Sequence, residues 1–284
     1  MNLFDLHCDT ATELFYRNLS FDNPVTHINK TSVQDHCLTQ CFAVFFNDTK
    51  EIPSGMDFLK SVVKTTFPQL KQDNVTPILT VEGGGVLAKE PHWISQLTAL
   101  NCRMFGLVWN GKNPLATGAV TDDNAPLTAL GREAVLELIS NNVIVDVSHL
   151  SAAGTEEILT LTDAPIVASH SNAKAILPHP RNLSDSVARE IFARGGLVGL
   201  NLYPDFLAKN GAEIQDVLRH AQHFLTLGGE QGLCLGCDLD GIDRLPEPMK
   251  DFSSLPLLYD AFQNAFGTAI ADNVFYRNAT RFFA

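Results

Sequence analysis

A (β/α)8 barrel of the TIM type is the fold this sequence predicts, on three observations. Apolar runs of strand length recur along the chain, helical patterns lie between them, and five of the runs lead directly into a His, Asp or Glu. The strand-like runs are Leu3–Leu6, Gln40–Phe46, Thr76–Val81, Arg103–Val108, Val143–Val147, Pro165–Ala168, Leu197–Asn201 and Leu233–Gly236. Between them, Gly55–Leu70 is read as a helix. Thr128–Ser140 is another, with Val135, Leu138 and Ile139 at i, i+3, i+4 spacing. Ser151–Leu161 follows the fifth strand, with Ser151 placed to cap it. Ser184–Ala193 stops at Gly195-Gly196, and Ile214–Leu227 stops at Gly228-Gly229. Leu255–Phe266 and Ala269–Phe282 close the chain. An open doubly wound sheet would place a glycine-rich phosphate loop after the first strand, and His7-Cys8-Asp9 stands there instead.

The 284 residues carry no low-complexity linker, charge block or short repeat, so residues 1–284 read as one barrel domain with a large core. Hydrophobic residues make up 45% and charged residues 18%, a globular balance rather than a disordered one. A formal net charge of −12 repels polyanions and argues against nucleic acid as a partner. The six cysteines read as buried free thiols, and Cys234 and Cys237 lie in a strand, where residues three apart face opposite ways. The start, MNLFDLHCDT, has no signal-peptide pattern, and no run of about 18 apolar residues suggests a membrane span. A cytoplasmic protein with reduced thiols is the expectation.

In a (β/α)8 barrel the functional groups gather where the strands end at their C-terminal side. His7 and Asp9 end the first strand, Glu82 the third, His149 the fifth, His170 the sixth and Asp238 the eighth. His7 and Asp9, two apart on a strand, face the same way and can reach one cation. Glu82, in TVEGGGVL, offers two oxygens and can bridge two cations, while the glycines permit an unusual backbone path. His149 in IVDVSHLS and His170 in IVASHSNA occupy matched positions on consecutive strands. Asp238, in LGCDLDGI, can take a proton from water and pass it on, with Asp240 as the less favoured choice. Arg181, in PHPRNLSD, offers a bidentate grip on a carboxylate from a position near the mouth. Together the residues describe a two-metal hydrolytic site, in which water between the cations has its pKa lowered towards about 7.

These motifs resemble the membrane dipeptidase, or renal dipeptidase, family of zinc peptidases, a branch of the amidohydrolase-like metal-dependent hydrolase barrels. The likeness runs from FDLHCDT through VEGGGVL, LVWNGKNPLATGAVTDD, VIVDVSHLS and PIVASHSNAKAILPHPRNLSD to LGCDLDGI, and includes the surroundings of His220 and His223 and the closing NVFYRNATRFF. It implies two Zn2+ per chain, one held by His7, Asp9 and Glu82, the other by Glu82, His149 and His170. It implies that Arg181 binds the terminal carboxylate of a dipeptide. Asp238 would meet the amino-terminal side and handle the proton, and a metal-bridging hydroxide would attack the peptide bond. Dipeptides with a C-terminal D-residue fall within the implied range, and a homodimer is the implied assembly. Two departures stand out. Trp109 occupies the place where mammalian relatives carry a histidine that helps bind the carbonyl oxygen; as a substrate-binding residue its indole N–H can donate one hydrogen bond but cannot be cationic, with Asn110 or Asn113 as candidates to compensate. The chain is also short around Tyr203–Gly211.

A zinc-dependent dipeptidase is therefore the leading expectation. Another binuclear metal hydrolase, acting on a lactam, ester or phosphoester, is the second, because a scaffold does not fix its substrate. A non-enzymatic metal-keeping binding protein is the third.

Overall fold

The computed structural model describes residues 1–48 and 54–284. Its eight strands form a closed barrel in chain order, with β8 pairing back to β1. They are β1 Asn2–Cys8, β2 Cys37–Phe45, β3 Val75–Glu82, β4 Met104–Gly106, β5 Ile144–Asp146, β6 Val167–Ala168, β7 Leu197–Leu200 and β8 Leu233–Leu235. Every pair is parallel, so all C-terminal strand ends lie on one rim. Parallel strands buried on both faces need apolar residues at consecutive positions. That is why Leu3, Phe4 and Leu6 on β1, and Phe42, Ala43 and Val44 on β2, are all buried.

Each expected strand exists, but β4, β5, β6 and β8 are only two or three residues long. Helices Ala129–Ser140, Ala152–Leu161, Asp185–Ala193, Ile214–Thr226 and Leu255–Phe266 stand where expected. Ser151 caps its helix by accepting from Gly154 N at 3.0 Å. The helix expected over 55–70 breaks at Thr66 into Gly55–Thr65 and Phe67–Leu70. Pro68 has no N–H for the carbonyl one turn back, which ends the first segment. The closing helix is likewise not uniform: Thr268–Asp272 and Asn278–Phe283 are joined by a π turn at Asn273–Arg277.

Two further helices complete the barrel, Thr10–Arg17 after β1 and Trp93–Ala99 after β3. Their signals are short apolar sets, Ala11 with Leu14 and Trp93, Ile94 with Leu97. Each is followed by an Asn in the left-handed region, Asn18 and Asn101, which turns the chain out of the helix. Phe283 packs on Phe4 with ring centroids 5.1 Å apart, and buried Asn278 donates to the carbonyls of Glu230 and Leu233. The C-terminal segment thus closes the N-terminal end of the barrel, opposite the rim that carries the polar residues. The cysteines are free thiols, and Cys37 corrects the expectation of uniform burial: it is exposed at the start of β2.

Candidate metal centre and substrate cavity

The rim brings the expected residues together. His7 projects from β1 and Asp9 follows its end; Glu82 is the last residue of β3. His149, His170 and Asp238 sit in the first turns beyond β5, β6 and β8. All of them are buried. His7 Nε2 lies 3.4 Å from Asp9 Oδ2 and 3.6 Å from Glu82 Oε2. On the other side, Glu82 Oε1 is 2.8 Å from His149 Nε2 and 3.5 Å from His170 Nε2. The two oxygens of Glu82 therefore face two different donor sets, His7 with Asp9 and His149 with His170. Asp238 Oδ1 joins the edge, 3.7 Å from His7 Nε2.

The backbone makes unusual conformations to achieve this. His149 and Asp238 have φ of 68° and 61°, a region that non-glycine residues seldom occupy and that concentrates at functional sites. Gly83 turns the chain after Glu82 with φ 69°, and a Cβ there would strike the carbonyl oxygen of Phe46. At Gly241 a Cβ would collide with the carboxylates of Asp9 and Asp238, so glycine keeps that corner open.

A second layer of side chains holds the ring orientations. Ser169 Oγ is 2.5 Å from Asp146 Oδ2 and 2.7 Å from His170 Nδ1. Asp146 also accepts from the backbone N–H of Ser148 and Ser169. With the serine proton committed to Asp146, His170 Nδ1–H donates to Ser169 and leaves Nε2 with a lone pair towards Glu82. His149 Nδ1 is 3.0 Å from Asn110 Oδ1, the same device with an amide. Asn201 Nδ2 donates to Asp238 Oδ2 at 2.9 Å. Sequence reasoning passed over Asp146, Ser169 and Asn201. An acidic residue inside the apolar run VIVDV was a signal for the first.

The electrostatics and the unpaired atoms both fit cations. His7 Nε2, His170 Nε2 and Asp9 Oδ1 are buried with no hydrogen-bond partner among the described residues. Burial, and then the charge of Asp9, pushes the Glu82 carboxyl well above its usual range. Burial raises Asp238 to about 6, against the opposing pull of His7. Burial disfavours a charge on His7, yet Glu82, Asp9 and Asp238 together carry it up to about 10. Burial, followed by the neighbouring positive groups, lowers His149 and His170 well below the ordinary histidine value. A cluster of carboxylates that draws protons to itself is short of positive charge, and imidazole and carboxylate donors suit divalent metals.

Beside this cluster opens a cavity of about 390 Å³, lined among others by Phe45, Trp109, Asn110, Tyr203, Phe206 and Asp238. Trp109 forms part of its wall, edge-on to Phe45 at 5.0 Å, with its backbone N–H on Asp48. Arg181 is not at the mouth, as its place in the sequence suggested. It is buried, with its Cζ 5.4 Å from the centroid of the Phe206 ring. Its Nε and Nη2 have no partner among the described residues. Burial lowers it to about 10, against the attraction of Asp238, Glu82 and Asp146. Asp240 also lines the cavity, but it accepts from Thr10 Oγ1 and from the N–H groups of His27 and Ile28, and so ties the β8 turn to the loop before β2. His220 is a buried structural residue, accepting from Ala173 N at Nδ1 and donating from Nε2 to the Leu207 carbonyl.

A closed parallel barrel with a buried His–carboxylate cluster on its C-terminal rim belongs to the hydrolase barrels that work with bound metal. The profile of the membrane dipeptidase family, peptidase family M19, matches residues 49–284. An uncharacterized protein of Klebsiella pneumoniae, from the pqqA 5′ region, is 30% identical over 224 residues, covering 74% of this chain and 82% of that protein. An uncharacterized dipeptidase of Schizosaccharomyces pombe is 29% identical over 248 residues, 85% of this chain; the match spans 58% of the length of that relative. Among solved structures, a metallopeptidase from Rhodobacter sphaeroides, bound to a phosphinate mimic of the dipeptide L-Ala-D-Ala, superposes with a TM-score of 0.85. Its identity is 22%, with 98% of this chain and 97% of that one covered. A dipeptidase of family M19 gives 0.84 at 24% identity, covering 98% and 96%. At these identities the superpositions speak for the fold. The chain belongs to the membrane dipeptidase family of peptidases. Among the described residues, no helix is long and apolar enough to cross a membrane.

Proposed function

We propose that the protein is a cytoplasmic zinc-dependent dipeptidase. The observation that carries this reading is Glu82, whose two oxygens face His149 and His170 on one side and His7 on the other. His7, Asp9 and Glu82 would hold one zinc, and Glu82, His149 and His170 the other. Bound there, the pair supplies Lewis acidity and an activated water. Arg181 anchors the carboxylate of the dipeptide through its unpaired Nε and Nη2, which requires Phe206 to yield or the carboxylate to approach beside its ring. A guanidinium buried without a fixed partner gains from such an anion and discriminates against longer peptides, whose carboxylate lies farther from the scissile bond. Asp238 handles the proton. Asn201 fixes its Oδ2, its Oδ1 faces the cluster, and a carboxyl raised to about 6 exchanges protons near neutrality. It accepts a proton from water and delivers it to the departing amine. The walls formed by Phe45, Trp109, Tyr203 and Phe206 exclude water from the bound dipeptide.

The test is hydrolysis of a panel of L,L and L,D dipeptides by zinc-loaded protein, repeated after chelation and after metal return. Cleavage that disappears and returns with zinc, with tripeptides poor substrates, is expected. Absence of cleavage across the panel, or much faster turnover of a lactam, ester or phosphoester, removes the dipeptidase reading.

A further inference from the structure

Trp109 brings one neutral indole N–H to the cavity wall, and a second donor for the oxygen of the scissile carbonyl is to be found beside it. Two asparagines nearby differ in what remains free on them. Asn113 is fully committed. Its Oδ1 accepts from the N–H groups of Leu115 and Ala116, and its Nδ2 donates to Asp48 Oδ1 and the Leu107 carbonyl. Asn110 is committed at one end only, where its Oδ1 meets His149 Nδ1 at 3.0 Å. Its Nδ2 has no acceptor among the described residues, and the residue lines the cavity together with Glu82, His149 and Asp238.

The orientation of this amide follows from the role of His149. A histidine that offers the Nε2 lone pair to a cation must carry its proton on Nδ1. Nδ1–H donates, so the Asn110 atom facing it must be the oxygen. The NH2 group is thereby held on the other branch of the amide, free to serve the cavity. The ligand tautomer and the direction of the free donor are thus locked to each other.

We infer that Asn110 is a further catalytic residue, whose Nδ2–H donates to the scissile carbonyl oxygen as negative charge develops on it. This inference rests on the dipeptidase reading of the site. The donor is fixed before substrate arrives, so it needs no reorganisation during the reaction, and removal of one such donor typically costs about 10²–10³ in kcat.

The decisive variant is Asn110→Asp. Asp keeps an oxygen for His149 Nδ1–H and exchanges the free NH2 for an oxygen that also carries negative charge, so Asn110→Ala, which adds no charge, is the control for repulsion. The expected result is unchanged zinc content by elemental analysis, kcat down by about 100-fold or more on dipeptides and a KM within about threefold. A phosphinate dipeptide mimic, which carries an anionic tetrahedral centre, should also bind about 100-fold more weakly. Asn110→Ala should show the same loss and also bind zinc less tightly, since His149 loses its partner. An Asn110→Asp protein that keeps turnover and phosphinate affinity within about threefold overturns the assignment. So does one that loses zinc, because Asn110 would then act only through His149. A wild-type protein that neither cleaves dipeptides nor binds the phosphinate removes the underlying reading itself, independently of the variant.

Discussion

Glu82 is the residue at which both halves of the cluster meet, so its two oxygens are not interchangeable with one oxygen and one amide. Glu82→Gln keeps the shape but can bind through a single oxygen, and elemental analysis should find the zinc content reduced by at least one per chain. Two full equivalents in that variant would show that the bridge is not needed. Asp238 has a different task, and Asp238→Asn should retain metal while turnover falls by about 10²–10⁴-fold, the usual range for loss of a general acid–base; near-normal kcat would reject it as the proton carrier. Ser169 acts through its neighbours. It relays His170 to Asp146 through contacts of 2.7 and 2.5 Å. Ser169→Ala should weaken zinc binding by about 10–100-fold in competition with a chelator, and equal affinity would mean that packing alone orients the ring. The clustered residues were legible in the sequence because each is a His, Asp or Glu at the end of an apolar run. Their supports were not. Asn201 and Asp238 are joined by a hydrogen bond but separated by 37 positions, and no local pattern announces that pairing.

Individual elements show the same division between local and distant causes. Ser151 and Ser184 announce their helices because a cap acts within three residues, on Gly154 N and Val187 N. Thr10–Arg17 and Trp93–Ala99 were missed because each is only seven or eight residues long and begins without a side-chain cap. Their stability comes from the barrel they cover rather than from their own sequences. Burial of Arg181 was illegible too, since Phe206 on the short helix Pro204–Leu207 stands over it. That helix is held through His220, which joins Ile214–Thr226 to the Leu207 carbonyl and to Ala173 N. Burial lowers His220 to about 4 from an ordinary 6.5. The unfolded chain therefore takes up this proton first as pH falls. Its stabilising contribution is complete above pH 6.5 and is lost progressively towards pH 4, by at most about 1.4 kcal/mol per pH unit. His220→Gln should cost about 1–3 kcal/mol at pH 7, through one buried backbone group left unpaired. It should also flatten the fall in stability between pH 6.5 and 4 relative to wild type, as read from denaturant unfolding. An unchanged slope would mean that His220 is not kept neutral by the fold.

Across the whole molecule the two ends of the barrel are built on opposite principles. One end is sealed by apolar contact, Phe283 on Phe4, with Asn278 satisfied by two carbonyls. The other buries His7, Asp9, Glu82, His149, His170 and Asp238, and leaves His7 Nε2, His170 Nε2 and Asp9 Oδ1 without partners. Unpaired buried polar groups oppose folding, and bound cations turn that penalty into stabilisation of the native state alone. Stability should accordingly follow metal concentration. Ligand at a thousand times its Kd adds about 4 kcal/mol, so thermal unfolding should rise with free zinc and fall after chelation. The barrel core is apolar and separate from the rim cluster, with Leu3, Phe42, Phe105 and Leu235 fully buried, so its packing does not run through the cation sites. Chelated protein should therefore keep its far-ultraviolet circular dichroism at 25 °C while its Tm drops. A Tm that is the same with zinc, without zinc and in Glu82→Gln would show that no cation is coupled to folding at this rim, and would take the metal centre with it.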